Sequence, residues 1–310
     1  MARGLKGWAL SVQEVRASGY DALMLATALL RRVRGADPCA GLWDAADVQW
    51  WWREPRRSDG VERLFWLDSE GPVAAVLLTS WTEARWQCDP VVVPGVSAFE
   101  PEALWRRALE EMCANAVGNV EVPVQGGDSV FGGLAARSGL VVGERGTTAW
   151  IDAVDRPSLR TLPEGFALVD RAQQHGTTAH PMRKRNGERV EERLRECPLY
   201  DPELDLAVET SDGRIAGYSL YWFDPVTRTG LVEPVRVVDE YQRRGLARAM
   251  LTAGLSRLAD KGAQRVKIGY GTEAAANLYQ SIGFQPTSTD TWYEGRVEHL
   301  TPTSRRSAFG

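Results

Sequence analysis

The sequence predicts an α/β (α+β) fold of two tandem units, and three observations predict it. The chain has 310 residues, more than a single hydrophobic core usually organises. Segments that alternate apolar and polar residues are interleaved with segments of helical period. The order of these segments in residues 165–295 recurs, in outline, in residues 1–153.

In chain order, residues 20–34 and 45–53 read as helices, and 62–68, 73–81 and 86–93, rich in β-branched and aromatic residues, as strands. A helix at 102–117, a strand at 120–124, a helix at 128–138 and a strand from Leu140 to near Ile151 complete the first unit. Asp155, Pro157, Pro163 and Gly165 then break up the chain, so 154–164 reads as a linker. The second unit opens with a short strand at 166–169, a polar helical stretch and a helix at 188–196. Strands at 204–209, 214–223 and 229–238 come next, separated by turns at Ser211, Asp212, Gly213 and at Asp224, Pro225. A helix at 245–261, a strand at 265–270, a helix at 273–282 and a last strand end the unit, leaving 296–310 as a tail. Setting Gly139 against Gly283 places Leu134 on Leu278, Leu140 on Phe284 and Ala135 on Tyr279. The identities are few, so the repeat rests on element order.

Hydrophobic residues at 44% and charged residues at 25% are ordinary globular values, which exclude a disordered or disulfide-stapled chain. A net charge of −4 offers phosphate backbones no broad attraction, so nucleic acid is not an expected partner. Cys39, Cys88, Cys113 and Cys197 are irregularly spaced, and the three histidines form no i, i+4 pair. Free thiols and no metal are the expectation. With no signal-peptide pattern and no run of eighteen apolar residues, a cytoplasmic protein without membrane contact is expected. The oligomeric state stays open.

The sharpest local feature is Gln242, Arg243, Arg244, Gly245, Leu246, Ala247, with Arg248 next, between a strand and a long helix. Gly245 lets backbone approach a ligand, successive amides can form an anion nest, and the helix start adds the positive end of its dipole. A solvated, charged helix start with an ordinary glycine is the plain alternative. Further on, Leu278, Tyr279, Gln280, Ser281, Ile282, Gly283, Phe284 reads as a helix ending on a capping glycine with its apolar residues in the core. Together, strand, Gln-Arg-Arg-Gly-Leu-Ala, helix, strand and a helix carrying Leu-Tyr-x-x-x-Gly-Phe resemble the GNAT superfamily of N-acetyltransferases over nearly the whole second unit. Ala179, His180, Pro181 and Pro198, Leu199, Tyr200, Asp201, Pro202 are similar to segments of mycothiol synthases, tandem members of that superfamily.

The resemblance implies two GNAT-like units, each a mixed, mostly antiparallel sheet flanked by helices. It also implies acyl-CoA-dependent N-acyl transfer, with acetyl-CoA as cosubstrate and a small-molecule primary amine attacking directly in a ternary complex. The CoA pyrophosphate would lie on the loop from Gln242 to Arg248, backbone near Val235 and Val237 would meet the thioester, and Asn277 would touch the pantetheine arm. Tyr279 would protonate the departing thiolate. One departure is Thr272, where the superfamily carries asparagine seven residues before that tyrosine.

An ammonium must lose a proton before it attacks, and Glu233, a few residues before the loop, is the candidate base. Pro234 cannot donate a ladder hydrogen bond and suits a bulge or an edge there. An exposed strand carboxylate is the alternative reading of Glu233. His180 is a candidate for the acceptor site, against a structural role beside proline. A non-catalytic acyl-CoA sensor or scaffold is the alternative function.

The first unit lacks these parts. Ala135 stands where the tyrosine would be, and Val93, Pro94, Gly95, Val96, Ser97, Ala98, Phe99 hold no Gln/Arg-x-x-Gly pattern. This unit is expected not to turn over acyl-CoA. It holds ten of the twelve tryptophans, with Trp50, Trp51 and Trp52 in succession on a predicted helix. Three consecutive helical residues fan over about 200°, so they cannot all face one core. At least one is expected to meet the other unit or to line the acceptor site, with partial exposure as the alternative.

Overall fold

The computed structural model describes residues 12–97, 99–174 and 179–300; Ala98, His175 and the tail beyond Leu300 lie outside them. The first half runs β1 (Gln13–Ala17), α1 (Gly19–Ala36), α2 (Ala45–Trp52), β2 (Arg63–Asp68), β3 (Gly71–Thr82), β4 (Arg85–Val92), α3 (Pro101–Asn115), β5 (Asn119–Val124), α4 (Ser129–Arg137) and β6 (Val141–Asp152). The second runs β7 (Phe166–Asp170), α5 (Arg171–Gln174), α6 (Arg183–Asn186), α7 (Val190–Glu196), β8 (Asp205–Thr210), β9 (Ile215–Asp224), β10 (Thr229–Val237), α8 (Leu246–Asp260), β11 (Arg265–Tyr270), α9 (Glu273–Gln280) and β12 (Gln285–Arg296).

All these strands join one sheet in the order β1-β2-β3-β4-β5-β12-β6-β11-β10-β9-β8-β7. The β4–β5 and β10–β11 steps are parallel and the others antiparallel, so the sheet is mixed and mostly antiparallel. Each half sends its last strand to the other. β6 pairs with β11, β12 pairs with β5, and the two exchanged strands pair with each other at the centre. The 154–164 segment thus comes after a strand that already lies against the second half.

The repeat is visible in hydrogen bonds as well as in element order. At the end of α9, Phe284 donates to the Tyr279 carbonyl at 3.1 Å; at the end of α4, Leu140 donates to Ala135 at 3.2 Å. Gly283 and Gly139 both hold positive φ there, a conformation that suits glycine at a helix end. Strand β1 has no counterpart among the expected elements. Its polar sequence offers no alternation to read, and it is recruited by β2 at the sheet edge.

One core cluster spans both halves. Trp50, Trp51 and Trp52 are buried in it with Met182, Val190, Leu194, Trp222 and Leu231. Side chains of this size contribute roughly 1.5–3 kcal/mol each on full burial, so this contact holds the halves together. Helix α8 packs under β9 at Gly254, where an added Cβ would overlap the Tyr221 ring; the Tyr221 hydroxyl donates to the Met250 carbonyl at 2.7 Å.

Candidate active site

The site begins where β10 parts from β11. The two strands pair only from Thr229 to Leu231, and the β9–β10 ladder then slips between Val232 and Val235. Glu233 and Pro234 occupy that bulge, joined by a cis peptide bond. Beyond it, Val238 donates to the Ala216 carbonyl at 2.9 Å. Donor direction alternates along an antiparallel strand, so the N–H groups of Val237 and Val235 point away from β9 into the gap.

That gap is a groove of about 690 Å³. Val235, Arg236 and Val237 form one wall, and Ala274, Ala275, Asn277, Leu278 and Tyr279 of α9 the other. Gln242, Arg243, Gly245, Leu246, Ala247 and Arg248 close its end. Gly245 has φ +82° and Arg243 φ +63°, alternating the backbone as an amide nest requires. No side chain caps the start of α8, so its first amides are free to meet an anion. The Arg248 guanidinium is anchored on the Ser281 hydroxyl (2.6 Å) and carbonyl (3.1 Å). Arg244 departs from expectation. It turns towards the Glu240 carbonyl (3.3 Å) and the Tyr241 ring, and it does not line the groove, whereas Arg243 does. Thr272 caps α9 itself, its hydroxyl accepting from Ala275 at 3.3 Å, so the departure from asparagine leaves the helix start intact.

On the other side of the bulge lies a second cavity of about 310 Å³, between the two halves. Glu233 lines it with Asp47, Trp50, Trp51, Trp43 and Trp292, and Tyr270 reaches it from β11. Trp43 and Trp51 meet edge to face at 4.9 Å between ring centroids, giving the wall a fixed aromatic arc. Burial pushes the Glu233 carboxyl up to about 7; nearby Asp47 adds to the rise, while Arg53, Arg236 and Arg185 oppose it. Burial, then the charge of Glu233, pushes the Tyr279 phenol up to about 12. The Tyr279 ring sits 5.7 Å from Tyr270, which links groove to cavity. The two groups are held apart in acidity, one near neutrality and one well above it, the separation that an acid–base pair needs.

Two expected acceptor residues lie elsewhere. His180 is buried; its Nε2 lies 2.7 Å from Asp205, and its Nδ1 accepts from the Met182 amide. With the Tyr200 hydroxyl also on Asp205, it braces α6 against β8 and does not line the cavity. Trp52 also faces away, donating to Glu196 at 2.7 Å under the Arg193 guanidinium. The tryptophan triplet therefore divides: Trp50 and Trp51 line the cavity and Trp52 grips α7.

Sequence reasoning missed the charges that hold this wall. Lys267 of β11 is buried, with Nζ 2.7 Å from Asp47, 3.2 Å from Asp44 and 2.5 Å from the Leu42 carbonyl; Arg34 pairs with Asp44 at 2.7 Å. A lysine flanked by Val266 and Ile268 in an apolar strand was the available signal. Arg53 was missed too; its guanidinium stacks 3.7 Å over the Trp50 ring.

Residues 169–284, which carry the groove, the bulge and Tyr279, match the acetyltransferase (GNAT) family. This match identifies an acetyltransferase (GNAT) domain in the second half of the chain. The GNAT resemblance extends beyond that half: a mycothiol acetyltransferase of Clavibacter michiganensis subsp. michiganensis is 28% identical over 274 residues, covering 77% of this chain and 87% of that protein. One from Cellulomonas flavigena is 28% identical over 335 residues, covering 89% and 93%. Among solved structures, a tandem GNAT protein from the clavulanic acid biosynthesis pathway superposes with a TM-score of 0.68 at 15% identity, covering 93% of this chain and 99% of that one. That likeness shows the tandem GNAT fold. The chain is thus an N-acetyltransferase of tandem GNAT architecture, and no helix among the described residues is long and apolar enough to cross a membrane.

Proposed function

We propose that the second GNAT unit transfers acetyl from acetyl-CoA to a primary amine of a small molecule by direct attack in a ternary complex. This reading rests on the placement of Glu233 and Tyr279 on the two sides of one bulge, the carboxyl facing the inter-half cavity and the phenol lining the groove. In this reading acetyl-CoA lies in the groove, its pyrophosphate on the amides around Gly245 beside Arg243, and the acceptor enters the cavity under Trp50 and Trp51.

Glu233 takes the proton from the acceptor ammonium, directly or through water; with its pKa pushed up to about 7, a useful share is still ionised at neutral pH. The Val237 amide, with Val235 behind it, donates to the thioester oxygen as charge builds there. Tyr279, protonated at neutral pH, gives its proton to the departing sulfur. Glu233 and Tyr279 are the catalytic residues; Asn277, exposed on the groove wall, is placed to touch the pantetheine arm. The first unit, 1–153, contributes no chemistry and supplies the cavity wall, with 154–164 as linker and 165–295 as the catalytic unit. Acetyl-CoA raising the melting temperature, together with a mass-resolved acetyl adduct on an amine from a broad panel, tests the reading. Binding without any adduct would favour a sensor.

A further inference from the structure

The cavity between the halves is a slot with an aromatic wall and a glycine floor. Trp51 meets Trp43 at 4.9 Å between ring centroids and Trp43 meets Trp292 at 6.4 Å, both edge to face, so one arc of indoles runs from α2 to β12. Trp292 lies across the backbone of Gly146 in β6, where an added Cβ would come within 3.0 Å of its ring. The floor is β11, whose Lys267, Gly269 and Gly271 alternate onto this face. A Cβ built on Gly269 would meet nothing within 4 Å, so the space above it is open cavity. Glycine inside a strand often marks the close approach of a ligand. Gly269 follows the last parallel pair, Leu231 with Lys267, by two residues on β11, as Glu233 does on β10. The open floor and the carboxyl thus share one level of the sheet.

The polar groups that reach the slot are mostly turned on one another. Lys267 Nζ is engaged by Asp47, Asp44 and the Leu42 carbonyl, and Asp47 also accepts from the Asp44 amide at 2.7 Å. Asp290 accepts from the Gly126 amide at 3.0 Å and from the Thr148 hydroxyl at 2.7 Å. Among the described residues, no hydrogen bond or ion pair reaches the Glu233 carboxyl; its backbone carbonyl accepts from Trp222 Nε1 at 3.1 Å. The hydroxyls of a sugar, or a second charged group, would leave water here for few partners. A flat ring is matched by indole faces and edges, and an ammonium by Glu233. The volume of about 310 Å³ lies at the small end of the range for ligand sites.

We propose that this slot takes an arylalkylamine, a primary amine on a short chain from an aromatic ring, with the ring between the indole arc and Gly269 and the nitrogen at Glu233. This rests on the acyltransfer reading, with Glu233 as base and this cavity as the acceptor site. The N–C bond forms as the C–S bond breaks, and the products are the N-acetyl arylalkylamine, the CoA thiol and one proton.

The test is acetylation by the full chain of 2-phenylethylamine and tryptamine against D-glucosamine, ethanolamine and L-phenylalanine. The two arylalkylamines should be favoured about tenfold or more in kcat/KM. Gly269→Leu, which fills the floor, should raise their KM about tenfold or more while the melting-temperature rise caused by acetyl-CoA stays as in wild type. Trp292→Ala should raise the same KM, and Trp292→Phe should recover most of the loss. Equal or better turnover of D-glucosamine, ethanolamine or L-phenylalanine, or an arylalkylamine KM unmoved by both Gly269→Leu and Trp292→Ala, would each overturn the arylalkylamine assignment. If acetyl-CoA raises the melting temperature but neither arylalkylamine is acetylated, the slot proposal fails and the CoA-groove reading stands. If acetyl-CoA does not bind, the acyltransfer reading fails with it.

Discussion

Asp89 and Glu233 occupy equivalent positions in the two halves. Gln87 pairs with Glu121 at the parallel β4–β5 step, and Leu231 pairs with Lys267 at the β10–β11 step; two residues further along each strand stands a carboxyl with proline next to it. Burial raises both carboxyls to about 7. Their surroundings differ. Asp89 accepts from Trp43 Nε1 at 2.7 Å and from Gln87 Nε2 at 2.9 Å, and the counterpart of Tyr279 is Ala135. The first half keeps a buried carboxyl at this position, hydrogen-bonded to Trp43 and Gln87, and has alanine where the second half has tyrosine.

This difference sets a pH dependence. Glu233 works only when ionised, so kcat/KM should fall by roughly tenfold per pH unit as pH drops below about 7, and level off above it. Asp89→Asn should leave that acid limb in place, because its carboxyl is engaged with Trp43 and Gln87 outside the acceptor cavity. A pH–rate profile of both proteins checks this; loss of the limb in Asp89→Asn would assign it to the wrong half.

Tyr279→Phe removes the acid and keeps the ring that packs against Tyr270 and Phe284. Steady-state kinetics should show kcat lowered by about 10²-fold or more, with the affinity for acetyl-CoA changed far less. A rise in the dissociation constant with kcat intact would make Tyr279 a binding residue only.

Arg243 lines the groove in a left-handed conformation beside Gly245 and has no ion pair among the described residues. Arg243→Glu places like charge against the pyrophosphate, and the acetyl-CoA-induced rise in melting temperature should disappear. Arg244→Glu should keep most of that rise, since Arg244 faces the Glu240 carbonyl and the Tyr241 ring. The reverse ranking in a thermal-shift titration would contradict the loop geometry.

Lys267 joins the halves. Replacing it with methionine leaves Asp47 and Asp44 buried with Arg34, on Asp44, as the remaining cation, and breaking a buried pair in this way costs about 3–5 kcal/mol. Urea unfolding should report a loss of that size, with the acceptor KM raised because Asp47 sits one helical turn before Trp50 and Trp51. A loss under about 1 kcal/mol would mean that solvent screens the pair.

Local features were legible and long-range pairings were not. The loop from Gln242 to Arg248 and the helix end at Gly283 have local physical signatures, and both helices formed as read, α8 over Leu246–Asp260 and α9 over Glu273–Gln280. The exchange of β6 and β12 could not be read, because the same alternation fits either neighbour and only the finished sheet selects one. The equivalence of Asp89 with Glu233 emerged only from register, since the surrounding residues, Gln87 and Cys88 against Leu231 and Val232, differ. His180 misled because a histidine that orients an aspartate looks, in sequence, like one that faces a substrate.

Amine acetylation with Glu233 as base is best decided by incubating wild type and Glu233→Gln with acetyl-CoA and an amine panel, and reading released CoA thiol and acetylated product together. Wild type should release CoA in equal amount with an N-acetyl product, and Glu233→Gln should bind acetyl-CoA normally yet turn over roughly 10²- to 10⁴-fold more slowly. Undiminished product formation by Glu233→Gln would remove Glu233 from the role of base.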